Sequence, residues 1–332
     1  MIEKRSLHCG GGGREIAFPL FGKAQSYFEK TAESALLGEV VRFIERLTPR
    51  ADAIYVLVNA LGAGEWWGPN VNGDHFPARG LMHCPPNWAG DPLADRAIAR
   101  GWPFGFPTFY SACPYLHHRN KDPTRGYGEV ELAAWNDRMK RVELVIRIDR
   151  PKCVAFGGMG LWQRLESGQC PDVSMGSRVP FDLCSICTDW DTYGRAQESF
   201  DVSVHRDPGA AVLQVHRELK RRSGNGIRGL SITRADYCEH TRQHMNAVLP
   251  TGQKVFVYND YPHFFDISFV FVGADKTAKV MMHLRGKGAR RNEGRDDRSL
   301  REKAASLADE ALRVGLAGAG RGTGGGRNLK RM

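Results

Sequence analysis

The sequence predicts an α+β fold, a β-rich body with peripheral helices, and three observations lead to this. Apolar and polar side chains alternate along residues 141–149, with Val142, Leu144, Ile146 and Ile148 on one face and Glu143, Arg147 and Asp149 on the other, Val145 being the exception. Such alternation is typical of a half-buried strand. An apolar run over residues 53–60 indicates a buried strand. A chain with 42% hydrophobic and 25% charged residues is an ordinary folded protein, which excludes a mainly disordered or collagen-like chain.

The remaining elements follow along the chain. Residues 31–48 predict a helix, with Thr31 as N-cap and Pro49 beyond its end. Residues 62–110 are rich in Gly, Pro and Trp and predict long loops packed by aromatic side chains. Three further strands are expected at 173–179, 254–258 and 264–272. Between the first two of these lies an insertion, residues 190–235, whose helix begins after Asp207 with Pro208 and stops at Gly224.

The charge distribution divides the chain into an N-terminal arm and helix (1–50), a β-rich domain (51–285) and a basic, Gly-rich tail (286–332). The tail holds twelve Lys and Arg against six Asp and Glu, so it carries +6 of the net charge of +10. Its apolar seam predicts a short helix that docks on a partner or stays a solvated linker; the seam is Leu300, Ala304, Leu307, Ala311 and Val314. The tail lacks aromatic residues, so only weak contact with nucleic acid is expected.

Neither a membrane span nor a secretion signal is expected. No run approaches 18 apolar residues, and the first 14 residues contain four glycines instead of an apolar stretch. We therefore expect a soluble protein that is not secreted and has no membrane partner. In such a protein eight cysteines suggest metal ligands or buried thiols before disulfides.

Three polar groups stand out in or beside apolar segments: Ser174, Asp266 and the pair His117-His118. A buried carboxylate costs several kcal/mol, roughly, unless it is paired or hydrogen-bonded. Serine, histidine and acid have a chemical reason to coexist, because an imidazole activates the hydroxyl and an acid orients the imidazole. The alternative is that Ser174 only packs, that the histidines are a surface or structural feature and that Asp266 pairs with Arg147 or another strand arginine.

The order of these motifs resembles one family. In chain order they are Gly73-Asp74, His117-His118 ahead of Gly128, Ser174-Met175-Gly176, and Asp266-Ile267-Ser268-Phe269-Val270 through Ala274-Asp275. Over residues 53–284 this order resembles the prohead (head-maturation) serine proteases of tailed phages, which are similar in fold to the herpesvirus assemblins. The resemblance implies a mostly antiparallel β-barrel flanked by helices.

The resemblance also implies roles for individual residues. Ser174 would be the nucleophile, and His118 or His117 the general base, with His118 preferred. Asp266 is the best match for the orienting acid. Because two histidines are adjacent, the resemblance does not decide whether His117 or His118 is the general base. The long insertion between Ser174 and Asp266 leaves the identity of the third catalytic group undecided. Histidine takes that place in assemblins, and His263 or His240 could do so here.

The activity implied by the resemblance is that of an endopeptidase inside an assembling prohead in the host bacterial cytoplasm. It would cleave capsid scaffold and major capsid precursor proteins and also itself, and it would form a homo-oligomer. The rival hypothesis is a non-enzymatic, zinc-stabilised structural protein of the virion, or a nucleic-acid-associated one, in which Ser174 merely packs.

A second constellation joins Cys184-x-x-Cys187 to Cys238-x-His240, with His244 four residues further on. Thiolate and imidazole ligands in two tight pairs are what tetrahedral Zn²⁺ needs. Four protein ligands leave no position for water, so a structural zinc that clips the insertion is favoured over a zinc hydrolase. A thioredoxin-like redox pair and two free buried thiols are the other readings of the Cys-x-x-Cys.

Overall fold

The computed structural model describes residues 38–82, 103–198 and 207–284. Their α-helices are α1 (Gly38–Arg46), α2 (Gly64–Trp67), α3 (Ala78–Leu81), α4 (Arg150–Phe156), α5 (Met159–Glu166), α6 (Trp190–Glu198), α7 (Pro208–Ser223) and α8 (Glu239–Gln243). Their strands are β1 (Ala53–Gly62), β2 (Asp74–His75), β3 (Cys113–Leu116), β4 (Gly128–Asn136), β5 (Arg141–Asp149), β6 (Asp172–Arg178), β7 (Asp182–Cys184), β8 (Leu230–Ser231), β9 (Val257–Tyr258), β10 (His263–Val270) and β11 (Lys279–Leu284). The fold is α+β, as predicted.

The strands form two sheets. The larger has the order β3-β10-β6-β11-β1-β5-β4, and its neighbours run antiparallel except for the parallel pair β10 and β3. The smaller has the order β2-β9-β7-β8 and collects short strands from three distant parts of the chain. The larger sheet therefore brings together β3, β10 and β6, the strands next to or containing the predicted catalytic residues.

The expectation of a β-barrel is wrong for the described residues, because the larger sheet is open and mixed, with β3 and β4 as its edges. One backbone hydrogen bond, Tyr127 N to Pro114 O at 2.8 Å, joins the regions of these edges. A barrel needs a continuous ladder around its circumference. The four-residue β3 cannot supply one, because the chain turns away at His117 and His118, whose φ angles are 52° and 54°.

The predicted apolar face of β5 packs into the main core with side chains of β1, β6 and β10. The expectation that β5 is only half-buried is wrong, because its other face is also covered. Val145 lies there in a second cluster beneath α1, and Glu143 is fully buried with Arg141 Nη2 at 2.6 Å. Arg147 pairs with Asp149 and Glu131, so it is not the partner of Asp266.

Local signals position the other elements. The Asp207 side chain accepts a hydrogen bond from Ala210 N at 3.1 Å, and Gly224 ends α7 in the left-handed conformation, as predicted. The predicted strand at 254–258 shortens to β9, and the loops expected at 62–110 contain α2, α3, β2 and a 3₁₀ helix at Phe106–Ser111. Thr31 and the tail helix lie outside the described residues.

Candidate active site and metal centre

The alternation of β10 places Asp266 and Ser268 on one face of the larger sheet. Their neighbours Ile267 and Phe269 point to the other face and join the main core. Asp266 and Ser268 are nevertheless fully buried. A carboxylate in this position requires hydrogen-bond donors around it.

His118 meets Asp266 at the end of β3. The parallel register of β3 with β10 pairs Tyr115 with Ser268, so the following turn lies over β10. There His118 N donates to Ser268 Oγ at 3.1 Å, and His118 Nδ1 lies 2.6 Å from Asp266 Oδ2. The His118 side chain remains 41% exposed while that of Asp266 is fully buried. The pair therefore presents an accessible imidazole anchored on an inaccessible acid.

Two further side chains complete the shell of Asp266. Ser268 Oγ donates to Asp266 Oδ1 at 2.7 Å, and Asn120 Nδ2 donates to Asp266 Oδ2 at 2.7 Å. Hydrogen bonds to a charged group are stronger than those between neutral groups. The buried carboxylate is thus stabilised by side-chain donors from Ser268, Asn120 and His118.

The neighbouring strand β6 brings Ser174 to the same face. The antiparallel register sets Ser174 opposite Ser268 and Gly176 opposite Asp266, and directly opposed residues share a face. Ser174 is 8% exposed. Within the described part of the chain, its hydroxyl makes no hydrogen bond, to His118 or to any other group. Ser174, His118 and Asp266 therefore share one region, with the histidine–acid contact formed and the serine–histidine contact not formed.

Gly176 explains part of the Ser-Met-Gly motif. A Cβ at this position would lie 2.9 Å from Asp266 Cβ, closer than real Cβ atoms come to other atoms, and 3.2 Å from Asp266 Oδ2, which is a tight contact. The missing side chain leaves the space that the Asp266 carboxylate occupies. Glycine is required here for the acid's position, and not for an unusual backbone angle.

The other predicted histidines lie elsewhere. The His117 ring packs against Phe271 in a tilted arrangement with centroids 4.4 Å apart, and among the described residues no hydrogen bond joins this ring to Asp266. His263, considered as the third group, donates from Nδ1 to Pro103 O at 3.0 Å. His240 lies in the metal cluster described below. Of the two candidate bases, His118 and not His117 therefore contacts Asp266, and of the candidate third groups Asp266, and not His263 or His240, is the one hydrogen-bonded to His118 in the described structure.

The contact with Asp266 changes the acidity of the imidazole. The hydrogen bond from His118 to Asp266 raises the pKa of His118 above its ordinary value, while partial burial acts in the opposite direction. A base with a raised pKa binds a proton more strongly. The electrostatics of the site thus favour transient protonation of His118.

Sequence reasoning missed the parts played by Ser268 and Asn120. A signal for Ser268 was available, because in a strand the residue two positions after Asp266 lies on the same face. Asn120 carried no such signal. Its amide reaches Asp266 only because the left-handed turn at His117 and His118 reverses the chain.

The predicted metal ligands also lie close together in the structure. The ligand atoms of Cys184, Cys187, Cys238 and His240 all lie within 4.8 Å of one another, and Cys238 Sγ is 3.9 Å from His240 Nδ1. A tetrahedral site with Zn–S bonds of about 2.3 Å places its sulfur ligands about 3.8 Å apart. The cluster could hold a metal ion and is compatible with zinc. His244, the C-cap residue after α8, is not one of the clustered ligands.

Local structure orients these ligands. Cys184 ends β7, and Ile186 N donates to its Sγ at 3.4 Å, so the Cys-x-x-Cys turn folds back on its first sulfur. Cys238 is the N-cap of α8, which places His240 in the first helical turn. The cluster thereby joins the end of β7 to the start of α8, at one end of the smaller sheet.

The thiols differ in acidity. Burial raises the pKa of Cys184 and of Cys187. Burial also opposes ionisation of Cys238, but hydrogen bonds from Thr241 and the two neighbouring thiols outweigh it and lower its pKa to about 6. Cys238, whose thiol ionises most easily, lies beside two further thiols and an imidazole. This donor set suits a soft or borderline cation such as Zn²⁺.

Across the described ranges, none of the helices combines the length and the apolar character needed to cross a bilayer. Comparison with protein-family models, with curated proteins and with solved structures finds no match for this chain.

Proposed function

We propose that the chain is a serine endopeptidase in which Ser174 is the nucleophile, His118 the general base and Asp266 the orienting acid. The observation that carries this proposal is the 2.6 Å contact between His118 Nδ1 and the buried Asp266, formed on the face of the sheet where β6 also places Ser174. Since Nδ1 faces the acid, Nε2 is the ring nitrogen left to take the serine proton. This is the division of roles within a Ser-His-Asp triad.

In the proposed reaction Ser174 Oγ attacks the peptide carbonyl carbon as His118 Nε2 accepts the hydroxyl proton. The imidazolium then donates that proton to the amine nitrogen as the C–N bond breaks, which leaves the acyl group on Ser174 Oγ. Water attacks the acyl carbon while its proton passes to His118, and breakdown returns the proton to Oγ and releases the carboxylic acid. Asp266 keeps its negative charge and stabilises each imidazolium.

This mechanism requires Ser174 and His118 to approach each other. Such contacts are often long without substrate and tighten when it binds. The 41% exposure of the His118 side chain leaves it room to turn, while its anchor stays fixed in the buried sheet. Binding of an extended peptide beside β6 would complete the contact.

The resemblance to the prohead proteases extends the proposal to substrates and location. Capsid scaffold and major capsid precursors, and the chain itself, would be cleaved inside an assembling prohead in the bacterial host. An assemblin-type arrangement of the larger sheet and a homo-oligomer belong to the same proposal, with the basic tail at 286–332 directing the enzyme to the scaffold.

The metal is proposed to be structural Zn²⁺ held by Cys184, Cys187, Cys238 and His240. All four ligands come from protein, so the ion has no open position for a catalytic water. Its contribution would be to hold α8 to the end of β7, and thus to fix the insertion on the smaller sheet.

The experiment for the proposal is the intact mass of concentrated full-length protein after incubation, alone and with scaffold protein. We expect self-cleavage or scaffold cleavage in the wild type and none in Ser174→Ala. Cleavage should persist in Ser177→Ala, the matched control, which loses a hydroxyl on the same strand. If wild type and Ser174→Ala leave both proteins equally intact, the zinc-stabilised structural hypothesis replaces the protease. Equal cleavage by both variants would exclude Ser174 as the nucleophile.

A further inference from the structure

Ser268 is hydrogen-bonded to both partners of the His118–Asp266 pair. Its hydroxyl lies 3.1 Å from His118 N and 2.7 Å from Asp266 Oδ1, and the residue is fully buried. The proposed chemistry does not use Ser268, and a buried hydroxyl needs only one partner to be satisfied. Contacts to both the backbone of the base and the carboxylate of the acid therefore suggest a more specific role.

The directions of these hydrogen bonds follow from counting protons. A backbone N–H can only donate, so Ser268 Oγ must accept from His118 N. The hydroxyl has a single proton, which must then point to Asp266 Oδ1. This oxygen is therefore an acceptor and carries no proton directed at Ser268.

The second carboxylate oxygen, Asp266 Oδ2, has a hydrogen-bond donor of its own. The Asn120 amide donates to Asp266 Oδ2 at 2.7 Å, so this oxygen too acts as an acceptor. An ionised carboxylate satisfies every one of these donors. With an ionised carboxylate, the remaining 2.6 Å contact is filled by a proton on His118 Nδ1, and in the neutral imidazole the lone pair then lies on Nε2.

We propose that Ser268 is a positioning residue that sets the tautomer and orientation of His118. This inference rests on the proposed function, in which Nε2 of His118 is the base. One hydroxyl accepts from His118 N in the left-handed turn and donates to Asp266 Oδ1, so the acid and the base are held by a shared partner. Asn120 donates to the same carboxylate, but in the described structure the hydrogen bond of His118 N goes to Ser268.

The surroundings of residue 268 also favour serine over alanine or cysteine. Ser268 lies opposite Tyr115 on one side and Ser174 on the other, within a buried row across β3, β10 and β6. Alanine would leave His118 N without its acceptor and remove one donor from Asp266. Cysteine would keep the shape but offer only a weak donor and acceptor.

The test compares full-length wild type, Ser268→Ala and Ser268→Cys, with Ser231→Ala as the matched control. Ser231 is also buried, and its hydroxyl donates to Asp236 O outside the candidate active site. The readouts are the tautomer of His118 from ¹⁵N chemical shifts of its ring and the steady-state hydrolysis of a p-nitrophenyl ester. The tautomer is measured above the pKa of His118 and needs no catalytic activity.

We expect a neutral His118 with its proton on Nδ1 in the wild type and in Ser231→Ala. In Ser268→Ala the Nε2–H tautomer gains population, and kcat falls by about 10- to 100-fold with little change in KM, the size expected for losing a hydrogen bond to a charged group. Ser268→Cys should fall between, which keeps the test decisive if the alanine variant does not fold.

Two results separate failure of this inference from failure of the proposed function. If the wild type hydrolyses the ester, and Ser268→Ala keeps both its kcat and the Nδ1–H tautomer, Ser268 is not a positioning residue. If the wild type has no Ser174-dependent activity, the protease proposal fails, while the tautomer shift in Ser268→Ala still decides what Ser268 does. A wild-type His118 with its proton on Nε2 would overturn the inference in an active enzyme.

Discussion

Replacement of Asp266 by asparagine isolates the charge of the buried acid with almost no change in shape. The carboxylate now accepts from Ser268 Oγ, Asn120 Nδ2 and His118 Nδ1. Asparagine has one acceptor oxygen and one NH₂ group. If its oxygen stays with Ser268, its NH₂ faces both Asn120 and His118, so His118 must accept at Nδ1 and carry its proton on Nε2.

The magnitudes follow from these contacts. The Asn120 amide loses its acceptor, and one hydrogen bond to a charged group is worth about 1.5–3 kcal/mol of unfolding free energy. His118 takes the tautomer that cannot accept the proton of Ser174, and in a Ser-His-Asp triad that error costs about 10⁴-fold in kcat. Activity is thus expected to fall far more than stability.

The pH dependence has a definite sign. The pKa of His118 is raised in the folded chain, chiefly by its hydrogen bond to Asp266. Only the neutral imidazole can accept a proton, so wild-type activity should rise as the pH climbs through this raised pKa. Removing the charge of Asp266 should return the midpoint of the residual activity towards the ordinary value, that is, to lower pH.

The assay is p-nitrophenyl ester hydrolysis against pH, with urea unfolding measured on the same samples. Asp275→Asn is the matched control, because the carboxylate of Asp275 also accepts three hydrogen bonds, from Gly62 N and from the backbone and hydroxyl of Thr277. We expect Asp275→Asn to lose stability and keep its kcat. An Asp266→Asn variant that keeps the wild-type kcat and midpoint would refute the role assigned to the acid.

Two further predictions concern the metal centre and the glycine beneath Asp266. Cys187→Ser should lose about one zinc per chain by elemental analysis, and the amides of its smaller sheet should exchange hydrogen before those of the larger sheet, because metal binding contributes folding energy. The control is Cys170→Ser, which changes an exposed thiol outside the cluster and should have neither effect. Equal zinc content in both variants would refute the proposed metal centre. Gly176→Ala should destabilise the chain by about 1–3 kcal/mol in urea unfolding and reduce ester hydrolysis, because its Cβ would displace Asp266. Gly160→Ala is its control, since a Cβ there meets open space, and an active, stable Gly176→Ala would contradict the packing argument.

The sequence predicted best those elements whose signals are local. Helix α7 carries its own start and stop in Asp207 and Gly224, and both act as expected. The smaller sheet could not be predicted, because β2, β8 and β9 have two residues each and are too short for any period to appear. The parallel contact of β3 with β10 joins residues about 150 positions apart, and no local pattern encodes it.

The candidate site divides in the same way. The alternation of β10 and the oddity of an acid inside an apolar run singled out Asp266, and spacing alone gathered the metal ligands into one set. The choice between His117 and His118 depended on the left-handed turn at both residues, a conformation that is uncommon for any residue other than glycine. The expected half-burial of β5 was wrong because ion pairs let Glu143 and Asp149 lie inside the protein.

Covalent labelling of the full-length protein with a fluorophosphonate tests the central claim most directly, because this reagent reacts with an activated serine hydroxyl. We predict one adduct per chain, located by peptide mapping at Ser174. It should be absent in Ser174→Ala, strongly slowed in His118→Ala and unchanged in Ser177→Ala. A wild-type protein that takes no adduct, or an adduct that persists in Ser174→Ala, would contradict the assignment of Ser174 as a nucleophile activated by His118.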